Sequence, residues 1–390
     1  MPGRVRVGIM APVLGIPSEV WIERQCAFFD RIEPVLIGWE RDPSWQNKRG
    51  LETHIVPGSF EPPRTFGRRV LRRLGLARAL KITPEQRENQ ARTLAEARVD
   101  GLLTHFSWTA MAASQALPED MPLIWHVHGR DVSSLMQDRA YQAMFARAIR
   151  RADCLVAVGR HQLEKLDPLG LPERSVVIPC GVVLEIFASG AMPAQADGGP
   201  LRFISVGRMA PEKGMLENLR AFELIAGDFP TAELVLIGAG EEYETVRAAA
   251  EGSPFAARIQ LAGRLNGPEI ARALSASQIY LQHSLPKGGA VEGFGVTLAE
   301  AGAAGLPLLA SNIGGLKDQV ADGQNGYLFP PGDIVEQARL MRLLAQDCAL
   351  RARLGQKARQ IALGYDAKHM SARLEQEILE AISRRRRKAI

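Results

Sequence analysis

Short apolar runs of three to six residues, each followed by a stretch with helical spacing, recur twelve times along the 390-residue chain. The first six are Val5 to Met10, Val35 to Gly38, Gly101 to Thr104, Leu123 to His126, Cys154 to Val158 and Val176 to Ile178. Runs so short and continuously apolar suit strands buried on both faces, as in parallel sheets covered by helices. The βα succession therefore predicts an α/β fold with a doubly wound parallel sheet. Residues 191–200, Ala-Met-Pro-Ala-Gln-Ala-Asp-Gly-Gly-Pro, interrupt the pattern and read as a linker. Six further runs follow: Arg202 to Val206, Glu233 to Ile237, Ile259 to Ala262, Ile279 to Gln282, Pro307 to Ala310 and Gly326 to Phe329. From Val335 the pattern is helical to the end. The expected organisation is a Rossmann-like lobe over 1–190, a second over 201–362 facing the first across a cleft, and a helix at 363–390 returning toward the first lobe.

Several function classes fall away at this point. No apolar run approaches the roughly 18 residues of a membrane-spanning helix, and the N-terminal stretch reads as a strand, not a signal peptide. Cys26, Cys154, Cys180 and Cys348 are scattered without C-x-x-C spacing, so neither a disulfide framework nor a metal site is expected, and a reducing cytoplasm fits. The first strand runs into Ala-Pro-Val-Leu-Gly-Ile-Pro-Ser and not a G-x-G-x-x-G, which argues against a nicotinamide enzyme and leaves Gly15 as a turn glycine. The formal charge of +5 is concentrated, with Arg384, Arg385, Arg386, Arg387 and Lys388 at one end and Arg64, Arg68, Arg69, Arg72, Arg73, Arg78 and Lys81 in a second acid-free block. Such blocks point to local anionic partners, whereas a nucleic-acid binder spreads its charge over a face.

Two segments of the second lobe carry chemistry. Strand Arg202 to Val206 runs into Gly207-Arg208-Met209-Ala210-Pro211-Glu212-Lys213-Gly214, two cations in a glycine-punctuated loop at a strand's carboxyl end. Arg forks onto phosphate oxygens and Lys supplies a point charge, so the pair suits a diphosphate, although a solvated loop could carry both by chance. Further on, Gly288 to Gly302 contains Glu292-Gly293-Phe294-Gly295-Val296-Thr297 and then Glu300, with a helix starting near Val296. Its free amides and positive dipole end would hold phosphate. Glu292 and Glu300 would repel that guest unless they accept hydrogen bonds from sugar hydroxyls; acids also simply favour a first helical turn.

Together these segments resemble the retaining glycosyltransferases of family 4, which have the GT-B fold, over nearly the whole chain. The resemblance rests on the G-R-x-x-x-x-K-G loop, the Glu292 and Glu300 pair around Glu-Gly-Phe-Gly, Gly314-Gly315, and the run Asp322 to Asp333. It implies that Arg208 and Lys213 bind the donor diphosphate, Glu292 the donor sugar, Glu300 the ribose, and the backbone of Gly293, Phe294, Gly295, Val296 and Thr297 a phosphate. Arg264 and Leu265 would lie near the base. In the first lobe, Pro17-Ser18-Glu19-Val20-Trp21-Ile22, His105-Phe106 and His128-Gly129-Arg130-Asp131 resemble the exopolysaccharide and lipopolysaccharide branch. Asp131 is expected to open a helix, His128 to serve in the active site by positioning acceptor or stabilising the transition state, His126 to be a structural hydrogen-bonder, and Gly15 to bring its backbone to the donor phosphates. Two departures stand out: the usual Asn-Gly-Val-Asp hinge reads Cys180-Gly181-Val182-Val183, and the Glu usual after the double glycine is Asp318.

The implied function is transfer, with retention and without a metal or other cofactor, of a sugar from a nucleotide diphosphate sugar to a glycan or lipid-linked acceptor in cell-surface polysaccharide or glycolipid biosynthesis. No D-x-D pair offers a cation site between strands. Nucleic acid is not an expected partner. Within the basic block Phe66, Val70 and Leu74 share a helical stripe while Arg68, Arg69, Arg72 and Arg73 take the other side, the pattern of an interfacial membrane helix or of a helix packed on its own sheet. With the terminal cations, it gives a peripheral place on the inner face of the cell membrane as the expectation, while a disordered tail is the alternative for 384–388. A nucleotide-sugar epimerase, or a glycan-binding homologue without turnover, would share the fold.

Overall fold

In the computed structural model, residues 4–16, 19–58, 82–188 and 200–388 are described. Arg68, Arg69, Arg72 and Arg73, the Pro17-Ser18 pair and linker residues 191–199 lie outside them. The chain divides into a first unit, residues 1–180 with 367–390, and a second, residues 181–366.

The first unit holds strands β1 (Val5–Met10), β2 (Val13–Leu14), β3 (Ile32–Gly38), β4 (Glu40–Arg41), β5 (Thr53–Ile55), β6 (Gly101–His105), β7 (Leu123–Val127), β8 (Cys154–Ala157) and β9 (Ser175–Val177). Seven of them form one sheet in the order β5-β3-β1-β6-β7-β8-β9, with every pairing parallel. β6, β7 and β8 are buried along their full length, which is why they read as mainly apolar runs. Order reverses between β1 and β6, so their carboxyl ends open onto a switch point where such sheets take ligands.

The second unit holds β10 (Arg202–Val206), β11 (Glu233–Ile237), β12 (Ile259–Gly263), β13 (Ile279–Gln282), β14 (Leu308–Ser311) and β15 (Gly326–Phe329) in the order β12-β11-β10-β13-β14-β15. All five pairings are parallel, and the switch point lies between β10 and β13. Its core collects Phe203, Leu234, Leu236, Leu281 and Phe329 from the strands with Phe222 and Met341 from covering helices. At about 1.5–3 kcal/mol for each large side chain removed from water, this cluster dominates the unit's stability. Asp333 and Asp347 cap the helices Ile334–Gln346 and Cys348–Ala362 by accepting from Glu336 N (2.9 Å) and Leu350 N (2.8 Å).

The unit boundaries fall at 180/181 and 366/367, where the sequence reading has 190 and 362. Val182 N–H donates to the Tyr365 carbonyl at 2.8 Å and Val182 bridges to Asp366, which draws residues 181–188 into the second unit. Asp131 does not open a helix: it sits in the 3-10 turn Arg130–Val132, and the following α-helix, Arg139–Ala148, is capped by Asp138. The C-terminal cations are the end of helix Ala367–Lys388 and not a disordered tail. Met370, Leu374, Ile378 and Ile382 bury one stripe of that helix in the first unit. Arg385 pairs with Asp153 at 3.1 Å and Arg386 with Asp100 at 2.6 Å. Glu375 Oε1 accepts the backbone N–H groups of Asp30 (2.9 Å), Arg31 (2.7 Å) and Ile32 (3.0 Å), tying the helix to the start of β3.

Candidate active site

Each unit gathers its expected residues at its own switch point. In the second unit the chain leaves β10 through Gly207 and Arg208, makes the 3-10 turn Pro211–Lys213, and enters helix Met215–Ala226 at Gly214. The turn is pinned from the neighbouring strand, Gly207 N donating to Ile237 O and Met209 N to Ala239 O, both at 3.0 Å. Gly214 has φ +61°, and a Cβ there would lie 1.9 Å from the His283 carbonyl oxygen, so only glycine fits. This geometry turns Lys213 toward Glu292, with Nζ 2.5 Å from a carboxylate oxygen. Gln282 Nε2 lies 3.4 Å from the same oxygen. Arg208, half exposed, pairs with Glu212 on its own loop.

Glu292 starts the loop that ends at Gly295, the cap of helix Val296–Ala304, which supplies no side-chain acceptor to the first-turn amides. Those N–H groups lack intrahelical partners by geometry and carry the positive dipole end. The helix N-terminus is braced to the sheet by the Tyr280 hydroxyl, which contacts Thr297 Oγ1 at 2.7 Å and donates toward the Val206 carbonyl at 3.3 Å. Burial raises the Tyr280 pKa, and Glu300 and Glu292 push the same way, so both glutamates lie within electrostatic reach of one hydroxyl. Glu300 is itself buried. The double glycine lies directly behind the loop: Gly315 N donates to Glu292 O at 2.9 Å, and a Cβ on Gly315 would fall 2.1 Å from Gly293 O. Arg264 and Leu265 follow β12, where Gly238 N donates to Gly263 O at 2.8 Å; Arg264 is exposed.

A polar chain that the motifs do not reveal runs under this loop cluster. Gly332 N–H donates to His283 Nε2 (2.9 Å), His283 Nδ1 contacts Gln337 Oε1 (2.6 Å), Gln337 donates to Asn218 (2.7 Å) and Asn218 to Ser205 Oγ (3.1 Å). With Nε2 accepting, His283 holds its proton on Nδ1, and burial keeps its pKa below the ordinary value. A polar Gln282-His283-Ser284 run at the end of a buried strand was the available signal.

In the first unit His105 ends β6, His126 lies in β7 and His128 follows it; all three are buried. His105 Nδ1 and His128 Nε2 are 3.2 Å apart. Asp131 accepts from Ser107 N and Oγ, both at 3.0 Å, and from His128 N at 3.1 Å, fixing the loop that carries His128. Burial raises the Asp131 pKa to about 6 against those bonds. Trp21 covers the group, its ring 4.2 Å from that of His128 and 5.0 Å from that of His105. His126, expected as a structural hydrogen-bonder, directs one ring nitrogen toward the Ile178 backbone and otherwise packs among the rings of Trp21, His105 and His128. Glu19, preceding Trp21 by two residues, has one carboxylate oxygen shut from solvent without a partner, and burial raises its pKa to about 7. Gly15 has φ +80° and carries the Trp45 ring where a Cβ would stand, so packing alone demands glycine there.

Residues 193–361 match the family described as glycosyl transferases group 1, and residues 44–186 the one described as Glycosyltransferase Family 4. The amylovoran biosynthesis glycosyltransferase AmsK of Erwinia amylovora is 28% identical over 56% of this chain and 54% of its own. The phosphatidyl-myo-inositol mannosyltransferase of Mycolicibacterium smegmatis is 30% identical over 54% of this chain and 52% of its own. The chain thus spans about half the length of these curated relatives. In fold it is similar to Anabaena HepE in complex with UDP, at a TM-score of 0.77 and 16% identity over 96% of this chain and 100% of that one.

Proposed function

We propose, for a chain that belongs to glycosyltransferase family 4, that it transfers a sugar with retention from a nucleotide diphosphate sugar to a glycan or lipid-linked acceptor in cell-surface polysaccharide or glycolipid synthesis. The observation that carries this is the meeting of Lys213 and Glu292 beside the uncapped start of helix Val296–Ala304. The pair is electrically balanced without ligand. An arriving diphosphate draws Lys213 and Arg208 from Glu292 and Glu212 and takes the helix amides. Glu292 is then free to accept hydrogen bonds from donor-sugar hydroxyls, and Glu300 from the ribose. As the anomeric bond ionises, the same cations and amides meet the charge developing on the leaving diphosphate, with no divalent cation at that position. A diphosphate oxygen takes the acceptor proton as the acceptor attacks from the leaving-group face, so no carboxylate nucleophile is required, unlike retaining glycosidases.

Gly15 backbone and the Arg264 and Leu265 segment are assigned to the donor phosphates and base, and His128 to the acceptor side. The UDP held by HepE, the amylovoran biosynthesis named for AmsK and the phosphatidyl-myo-inositol named for the mannosyltransferase support this choice of donor and acceptor class. Transfer from a screened panel of nucleotide sugars tests the assignment: Glu292→Ala removes transfer, and transfer by that variant at the wild-type rate would sink it.

Peripheral membrane attachment through the 62–84 block belongs to the same proposal. At about 1 kcal/mol per basic residue near an anionic leaflet, neutralising Arg68, Arg69, Arg72 and Arg73 together releases the protein from acidic vesicles. Unchanged co-sedimentation would assign the membrane contact elsewhere or nowhere.

A further inference from the structure

We propose that His105, His126 and His128 form a three-imidazole site for a divalent transition cation of the zinc class, contributed wholly by the first unit. His105 and His126 are register partners on the adjacent parallel strands β6 and β7, so their side chains leave the same face of the sheet. His128 stands two residues beyond His126, and the strand period of two returns it to that face. One nitrogen from each ring lies within 4.8 Å of those of the other two.

The separations suit a metal centre. Zinc–imidazole bonds of about 2.1 Å at tetrahedral angles put ligand nitrogens about 3.4 Å apart, and His105 Nδ1 and His128 Nε2 stand 3.2 Å apart. The widest gap exceeds that edge by about 1.4 Å at most, which a modest turn of one ring closes. Hydrogen bonding within the cluster satisfies only that one contact. His105 Nε2 and one nitrogen of His126 have no partner among the described residues, the other His126 nitrogen being directed toward the Ile178 backbone, though all three rings are buried. Each buried unpaired polar atom costs about 1–3 kcal/mol, a penalty that coordination lifts at His126.

The donor set selects the ion. Three imidazoles without a carboxylate suit zinc, cobalt, nickel or copper and not magnesium or calcium, which require oxygen. Burial favours the neutral, ligating form of all three rings. Three protein ligands leave a fourth position for water or a small anion. The surroundings hold the rings in place: Trp21 covers them, and Asp131 spends its oxygens on Ser107 and the His128 N–H. A cation here locks the His128 ring, so that His128 acts through position and not by carrying a proton. Sequence spacing conceals the site because the ligands lie at the ends of two strands separated by a helix and a loop.

The full chain, purified without a histidine tag and stripped with EDTA, is titrated with Co²⁺ and then Zn²⁺. The expected result is one Co²⁺ per chain with the ligand-field absorption of a four-coordinate site, displacement by Zn²⁺, and a rise in Tm with Zn²⁺ concentration. His126→Gln and His105→Gln weaken binding by roughly 100-fold or more, at least the loss that follows removal of a supporting group, whereas His369→Ala binds as wild type. Zinc-edge X-ray absorption of the wild type counts three imidazoles and decides the matter if both variants fail to fold. Absence of stoichiometric binding, binding that survives both substitutions, or fewer than three imidazoles at the metal overturns the proposal.

Discussion

Lys213 meets Glu292 across 79 residues of chain, and that contact shows how the residue scale was half legible. Each motif was visible as a type, a basic loop after a strand and a glycine loop before a helix, because backbone geometry demands those residues locally. Their pairing was not, since it depends on the β10-β13 adjacency that only the sheet order provides. The same holds for Gly314 and Gly315, readable as a double glycine but explained only by the Glu292 and Gly293 carbonyl oxygens 2.2 and 2.1 Å from their would-be Cβ positions. His283 yields a pH prediction. Its folded-state pKa lies below the ordinary 6.5, so below about pH 6.5 the unfolded chain binds more protons than the folded one, and stability falls as pH falls. The stability advantage of the wild type over His283→Gln, measured by urea unfolding, is therefore largest above pH 6.5 and shrinks on acidification. An advantage that stays constant or grows would contradict the assigned tautomer and its Gly332 bond.

At the scale of elements, strands with continuous apolar runs were legible almost to the residue: β1, β10, β11, β13 and β15 have the expected limits. β5, Thr53–Ile55, escaped because it is a half-buried edge strand with a histidine at its centre, and β2 and β4 because two residues make no period. Asp131 looked like a helix cap because acids favour that position, but its carboxylate is spent on Ser107 and the His128 N–H. The terminal helix was expected, yet its anchor was not, for Glu375 looks like any acid on an amphipathic helix. In the fold it accepts three backbone N–H groups at the start of β3 while almost fully buried. Glu375→Ala leaves those donors unpaired and costs about 3 kcal/mol. Chemical denaturation checks this, and a loss under about 0.5 kcal/mol, typical of a surface site, would refute the anchoring role.

For the whole molecule, the chain passes from the first unit to the second at 180/181 and back at 366/367, so the first unit is completed only by the last helix. The basic C-terminus therefore serves folding as well as charge, since Arg385 and Arg386 are engaged by Asp153 and Asp100 within that unit. The net charge of +5 was legible as two clusters, but composition could not say which cations were already spent. The positive charge that the proposed scheme uses comes from neither cluster but from Arg208, Lys213 and one helix N-terminus. The most direct test of that scheme is calorimetric titration of wild type and Lys213→Ala with UDP, GDP and ADP and with the matching monophosphates. One diphosphate is expected to bind the wild type at least about tenfold tighter than its monophosphate, a difference of about 1.4 kcal/mol, with that preference lost in Lys213→Ala. Equal binding of mono- and diphosphates, or a diphosphate preference untouched by the substitution, would contradict it.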